Sequence, residues 1–173
     1  MFSRSLLALT PRPPHSRVAP PAAFNLSPGD FRCRFALASL HLWLSLVRLR
    51  GEGEAGKLLG QELYDHFWAE METRVRGEGV VVRLSKWMRE LEGAFYGSSA
   101  AYDAALADQQ DGPVGAGRDE LASALRRNVY MGDGSLQDSQ FLARYVRHQL
   151  ACLALTQSEA VMAGAWLSLW ARL

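Results

Sequence analysis

Residues 40–50 read LHLWLSLVRLR, an apolar helical face that closes on two arginines, Arg48 and Arg50, one residue apart. The stretch is too apolar for an ordinary surface helix. Its uncharged run, residues 35–47, is also shorter than the roughly 20 apolar residues needed to span a bilayer. Such a segment buries itself in protein, or meets a membrane or a hydrophobic client. Just upstream, Ser27-Pro28-Gly29-Asp30 has the form of a helix start, with Ser27 as N-cap, Pro28 at the first helical position and Asp30 as the capping-box acid. Leu26 and Phe31 can staple across that cap. The helix should therefore run from about residue 27 to Arg50, where Gly51 and Gly53 stop it.

Downstream, helical periods repeat. Over residues 55–76, Leu59, Leu63, Phe67 and Met71 fall four apart on one stripe, widened by Tyr64, Trp68 and Val75. Gly77-Glu78-Gly79 breaks that helix, and residues 80–82 form a short extended link. A third helix, residues 84–106, carries Leu84, Met88, Leu91 and Phe95 in a buried-helix spacing. Its second half is rich in Gly93, Gly97, Ser98, Ser99, Ala100, Ala101, Ala104 and Ala105, which predicts a close helix crossing. Residues 108–117, DQQDGPVGAG, should form a flexible loop. A short helix over residues 119–130 follows, then a turn at Gly132-Asp133-Gly134. Leu142, Val146, Leu150 and Leu153 mark a fifth helix, and Thr156-Gln157-Ser158-Glu159 is a capping box for a sixth containing Ala163, Trp166, Leu169 and Trp170. Six helical patterns without strand alternation predict a single compact all-α domain over residues 26–173. No internal repeat is present.

A chain of 173 residues with 49% hydrophobic and 21% charged residues can bury one genuine core. Residues 1–25 have a different composition: Arg4, Arg12 and Arg17 stand among serines and five prolines, and no acid precedes Asp30. That is the composition of an organelle transit segment; a disordered tail or a misplaced start codon are the plainer alternatives. Removing those arginines takes the formal charge from +1 to about −2, which withdraws support for bulk electrostatic binding to DNA or RNA. Cys33 and Cys152 are far apart and lie in no CxxC. This excludes a structural zinc site of four spaced ligands and suits a reducing compartment.

Little in the chain suggests catalysis. Glu62, Asp65, His66 and Glu70 share a helical neighbourhood, but a di-iron bundle needs Glu-x-x-His on two helices; a solvated polar face is the simpler reading. His41 reads as a histidine hydrogen-bonded in the core or at an interface. His148 falls on a basic face with Arg144 and Arg147, and Cys152 among Leu150, Leu153 and Leu155 reads as a core thiol. No Gly-rich phosphate loop or Gly-x-Ser-x-Gly elbow occurs. The chain does not read as an enzyme, and neither a cofactor nor a metal is expected. Arginines recur at helix ends: Arg48 and Arg50, Arg83 with Lys86 and Arg89, Arg126 and Arg127, Arg144 and Arg147. They either solvate outer faces or converge on a basic patch for RNA or anionic lipid.

Taken in order, LHLWLSLVRLR, GQELYDHFW (residues 60–68), RLSKWMRELEGAFYGSSAAYDAAL (83–106) and RRNVY (126–130) resemble the ubiquinol-cytochrome c chaperone family, over about residues 31–173. The resemblance implies an all-helical, non-enzymatic assembly factor for respiratory complex III, located at the matrix side of the mitochondrial inner membrane. It implies that newly made cytochrome b is the client, with a small assembly partner protein and the mitochondrial ribosome nearby. Peripheral membrane contact is expected and DNA binding is not. The partner-binding candidates carried over are His41, Trp43, Arg48 and Arg50; Tyr64, Asp65 and Phe67; Tyr96, Gly97, Tyr102 and Asp103; Arg127 and Asn128. Most of residues 40–47 should be core, with Arg48 and Arg50 as an exposed, partner-facing end. The chain departs from the family pattern in residues 112–117, which read as a loop insertion, and in a short segment ahead of Leu40. Two other readings compete: a ribosome- or RNA-associated adaptor supporting cytochrome b translation, and a carboxylate and histidine metalloprotein.

Overall fold

The computed structural model describes residues 24–26, 30–79, 82–111 and 119–164. Its regular elements are all helical: α1 (Phe31–Leu49), α2 (Gly53–Gly77), α3 (Leu84–Asp111), α4 (Glu120–Asn128), α5 (Leu136–Leu155) and α6 (Ser158–Met162), with a 3-10 turn (Arg50–Glu52) joining the first two. The expected all-α domain forms, and no strand occurs among the described residues. None of the described helices is long and apolar enough to cross a membrane.

The α1 helix is the centre of the fold. It is apolar around most of its circumference because α2, α3 and α5 all pack on it. Leu37, Leu40, Trp43, Leu44 and Leu49 are completely enclosed. At its start the cap is Asp30, whose side chain accepts the Arg32 N–H at 3.0 Å. The carboxylate thus caps the helix itself instead of serving as the acid of a box built on Ser27; Ser27, Pro28 and Gly29 lie outside the described residues. Phe24 and Leu26 belong to the core. The Phe24 ring packs edge-on against Tyr145 at 5.0 Å, and its carbonyl accepts the Tyr130 hydroxyl at 2.9 Å. The folded core therefore reaches into the end of the stretch expected to be a leader.

The small residues of α3 divide between two faces: Ser98 and Ala105 are buried, and α3 packs closely on α4. Gly93 and Gly97 face open space, whereas a side chain at Gly56 would be driven into the Leu49 carbonyl. The glycine that lets two backbones approach is thus on α2, against the end of α1. The α3 helix also runs further than its apolar period, to Asp111, because nothing between Asp108 and Asp111 breaks a helix before Gly112-Pro113. The rest of the expected loop, residues 112–117, lies outside the described residues. Asp119 caps α4 and Ser135 caps α5. On α5, Leu142, Val146 and Leu153 are buried and Leu150 is half-buried, as their spacing requires. The box expected before α6 does not form: the Thr156 hydroxyl donates back to the Cys152 carbonyl at 2.9 Å and Gln157 takes the cap position. Trp166, Leu169 and Trp170 lie outside the described residues.

Candidate functional site

Three polar networks and one open face hold most of the sequence-derived candidates. The first joins α1 to α3. Trp43 is buried, its ring stands edge-on to the buried Tyr102 at 5.1 Å, and its Nε1–H donates to Asp103 at 2.9 Å. The same carboxylate accepts two hydrogen bonds from Arg50, at 3.1 and 3.0 Å. Residues 60 positions apart in sequence thereby make one unit, whose Arg50 and Asp103 side chains reach solvent while Trp43 does not.

The second network corrects an expectation. Arg48 is not an exposed end: its guanidinium donates to the carbonyls of Leu153 at 2.8 Å and Thr156 at 3.0 Å, and pairs with Glu52. The last carbonyls of a helix lack intrahelical partners. Arg48 supplies them at the end of α5, which is why it is drawn inward. Glu52 also accepts the Ser158 hydroxyl at 3.1 Å, tying the 3-10 turn to α6.

His41 forms the third network. Its Nδ1 lies 2.6 Å from the Leu37 carbonyl and its Nε2 2.9 Å from the Tyr145 hydroxyl. A carbonyl can only accept, so Nδ1 carries the proton and Nε2 accepts from Tyr145. Burial drives the pKa down from 6.5 to about 4, against the opposing pull of the Leu37 carbonyl. The imidazole is a neutral core group, as its place in the apolar helix implied.

The open face belongs to α2 and α3. The half-buried Phe67 and Trp68 on α2 meet the buried Phe35 of α1 and Phe95 of α3 in an aromatic layer, with ring centroids 5.3 to 6.4 Å apart. At its edge the Tyr64 hydroxyl donates to Glu92 at 2.7 Å and lies 2.9 Å from the Tyr96 hydroxyl. Partial burial, followed by these two partners, raises the Tyr64 pKa, keeping the phenol protonated. A groove of about 390 Å³ opens here, lined by Leu46, Leu49, Arg50, Gly60, Tyr64, Phe95 and Tyr96. A second groove, about 550 Å³, shares Tyr64 and continues past Asp65, Trp68, Met88 and Glu92. The Trp68 Nε1–H has no acceptor among the described residues. Beside Tyr96, Gly93, Gly97, Ala100 and Ala104 form an exposed small-residue stripe along α3.

The structure thus gathers Trp43, Arg50, Tyr102 and Asp103 into one cluster and sets Arg50, Tyr64 and Tyr96 around one groove. Phe67 supports the groove from beneath, and Asp65 accepts a hydrogen bond from Gln61 on the exposed face. Arg127 is exposed at the end of α4, and the Asn128 side chain donates to the Ala124 carbonyl at 2.9 Å; neither joins the groove residues in the networks above. Cys152, read as a core thiol, is instead exposed, with Sγ 3.6 Å from His148 Nε2. That neighbour stands one helical turn back and was legible from the four-residue spacing. So was Glu52, four residues after Arg48. Glu92 and Tyr145 complete networks with residues 28 and 104 positions away, for which no local pattern exists.

Comparison with known proteins gives a consistent picture. A family model described as ubiquinol-cytochrome C chaperone matches residues 25–170. The ubiquinol-cytochrome-c reductase complex assembly factor 1 of Xenopus laevis is 29% identical over 137 residues, 78% of this chain and 64% of that protein. The Drosophila melanogaster protein of the same description is 30% identical over 156 residues, 84% of this chain and 57% of that one. The chain therefore spans less than two thirds of the length of these curated relatives. The crystal structure of the Cbp3 homolog from Brucella abortus superposes with a TM-score of 0.67 at 33% identity, covering 83% of this chain and 75% of that one.

Proposed function

The chain belongs to the ubiquinol-cytochrome c chaperone family, and from that premise we propose that it is a non-catalytic assembly factor for mitochondrial complex III that holds newly made cytochrome b. Its client would be a polytopic membrane protein whose helices emerge before they have bilayer or partner helices to cover them. A holding surface for such helices needs apolar walls, a few hydrogen-bonding groups, and places where another helix can lie close. The open α2–α3 face offers all three. Leu46, Leu49 and Phe95 line its groove, Tyr64 and Tyr96 present hydroxyls, and Gly97 lies in an exposed small-residue stripe. The observation that carries the reading is this exposed Gly93-to-Ala104 stripe beside the Tyr64–Tyr96 pair, since a core-forming helix would have buried it. Arg50, held by Asp103, marks one rim of the groove.

In this reading the protein works at the matrix side of the inner membrane, close to the mitochondrial ribosome and with a small partner protein; DNA and cofactors play no part. The ribosome- or RNA-adaptor alternative loses much of its electrostatic basis, because Arg48, Arg50 and Arg147 are engaged within the fold. Affinity capture from isolated mitochondria should recover cytochrome b with a small assembly partner and ribosomal proteins. Depletion should lower cytochrome b accumulation and complex III activity together. Unchanged levels of both after depletion would remove the proposal.

A further inference from the structure

The tip of the α2–α3 hairpin combines two features that are each ordinary alone. Val82 is 80% exposed and Trp87 is 44% exposed. Single exposed apolar residues need no explanation; these two flank a local excess of cations. On the α2 side of the tip every arginine is matched, Arg74 by Glu70, Arg76 by Glu72, and Glu78 by Arg34 of α1. On the α3 side Arg83 and Arg89 form no ion pair among the described residues, and Lys86 reaches Glu90 only at 3.7 Å with both groups largely exposed.

The backbone gathers these groups. Arg83 adopts a left-handed φ of 66° and its carbonyl accepts the N–H groups of Lys86 and Trp87, at 2.9 and 3.2 Å. Arg83 therefore opens α3, and Lys86 and Trp87 follow within its first turn. An indole among lysine and arginine stems is the combination that settles at a membrane–water boundary: the ring takes the headgroup level, and the cations reach up to the phosphates.

We propose that this tip is a lipid-contacting foot, in which Val82 and Trp87 enter the interfacial layer of an anionic bilayer while Arg83, Lys86 and Arg89 meet its phosphates. A nucleic acid would use the cations and stack on Trp87, but would gain nothing from Val82. The contact is peripheral and would orient the domain with the hairpin tip toward the membrane, leaving the flank of α3 with its small-residue stripe accessible from the side. The inference rests on the proposed membrane-side workplace. The test, however, contains no client.

The experiment is co-sedimentation of the full chain with phosphatidylcholine vesicles, with and without about one third phosphatidylglycerol. Binding is expected to the anionic vesicles and to be several-fold weaker to the neutral ones. The paired substitution Arg83→Gln with Arg89→Gln should weaken it roughly thirtyfold, and Val82→Ser with Trp87→Ala on the order of tenfold. All four positions are exposed, so helicity should be retained; Leu155→Ser, an exposed apolar site on α5, should change nothing. Equal binding to both vesicles, or full binding by both paired variants, would overturn the proposal. So would variants that keep vesicle affinity but lose binding to ribosomes, which would assign the tip to RNA. Lost lipid binding by the wild-type chain with intact cytochrome b capture overturns this inference alone, and the reverse result overturns the assembly reading alone.

Discussion

The two flanks of α1 are built on opposite principles. Toward α5 and the buried face of α3 the packing is sealed, and most polar groups that enter it are matched: His41 to Leu37 and Tyr145, Arg48 to the end of α5, Trp43 to Asp103. Toward α2 and the outer face of α3 the packing is partial. The α1 helix buries ten of its 19 residues, whereas α2 buries four of its 25, so a layer of aromatic rings is the main cement on that side. The difference separates two roles. Groups on the sealed flank hold the fold; groups on the open flank remain available to something else. Substitutions on the first should cost stability, while those on the second should leave it nearly intact.

Trp43→Ala gives the largest expected effect. It removes an enclosed indole and leaves Asp103 without a buried donor, and should lower unfolding free energy in urea by about 3–5 kcal/mol. A loss under about 1 kcal/mol would mean that this flank is not sealed. Acid titration comes next. The folded state holds His41 neutral down to about pH 4, while in the unfolded chain it takes up a proton near pH 6.5. Between those values the unfolded state binds more protons, so stability falls as pH drops, by up to roughly 3 kcal/mol at pH 4. His41→Gln should flatten that limb of the urea-midpoint profile against pH, and an unchanged slope would place the imidazole outside the core. Arg48→Gln follows, at about 2 kcal/mol, because it removes the guanidinium from the Leu153 and Thr156 carbonyls and leaves the largely buried Glu52 without its ion-pair partner. On the open flank, Tyr64→Phe removes a hydroxyl bonded to Glu92 and Tyr96 near solvent, and should shift stability by less than about 1 kcal/mol. A shift as large as that of Trp43→Ala would erase the contrast between the flanks.

The sealed flank was the more legible in sequence, because its signals are periodic. The apolar residues of LHLWLSLVRLR and the Leu142–Val146–Leu153 spacing each state a buried face that local geometry enforces, whereas in the four-residue steps of α2, on the open flank, Leu59, Leu63 and Phe67 are half-buried and Met71 is buried. What failed were readings that depend on a remote partner. Arg48 followed a run of leucines and read as an exposed end; only the terminus of α5, 105 residues later, draws it inward. The small residues of α3 read as a single crossing because composition does not record which face each falls on: Ser98 and Ala105 are buried, Gly93 and Gly97 are not, and a further close approach falls to Gly56. For the candidate site, residue types survived better than roles. Arg50, Tyr64 and Tyr96 meet at one groove, while Trp43 and Tyr102 are buried and the half-exposed Asp103 links Trp43 to Arg50 at that rim. Cys152 was misread because its leucine neighbours outweighed the side of the helix on which it falls.

The separation of flanks is tested most directly at Gly97, where a side chain would meet open space. Gly97→Leu in the full chain should leave the urea midpoint unchanged or raise stability by up to about 1 kcal/mol through helix propensity. The same variant, expressed in depleted cells, should capture about tenfold less cytochrome b, because the added isobutyl group holds a client helix away from the stripe. Complex III activity should then fail to recover. Full capture of cytochrome b and full recovery of complex III activity by this variant would contradict the account.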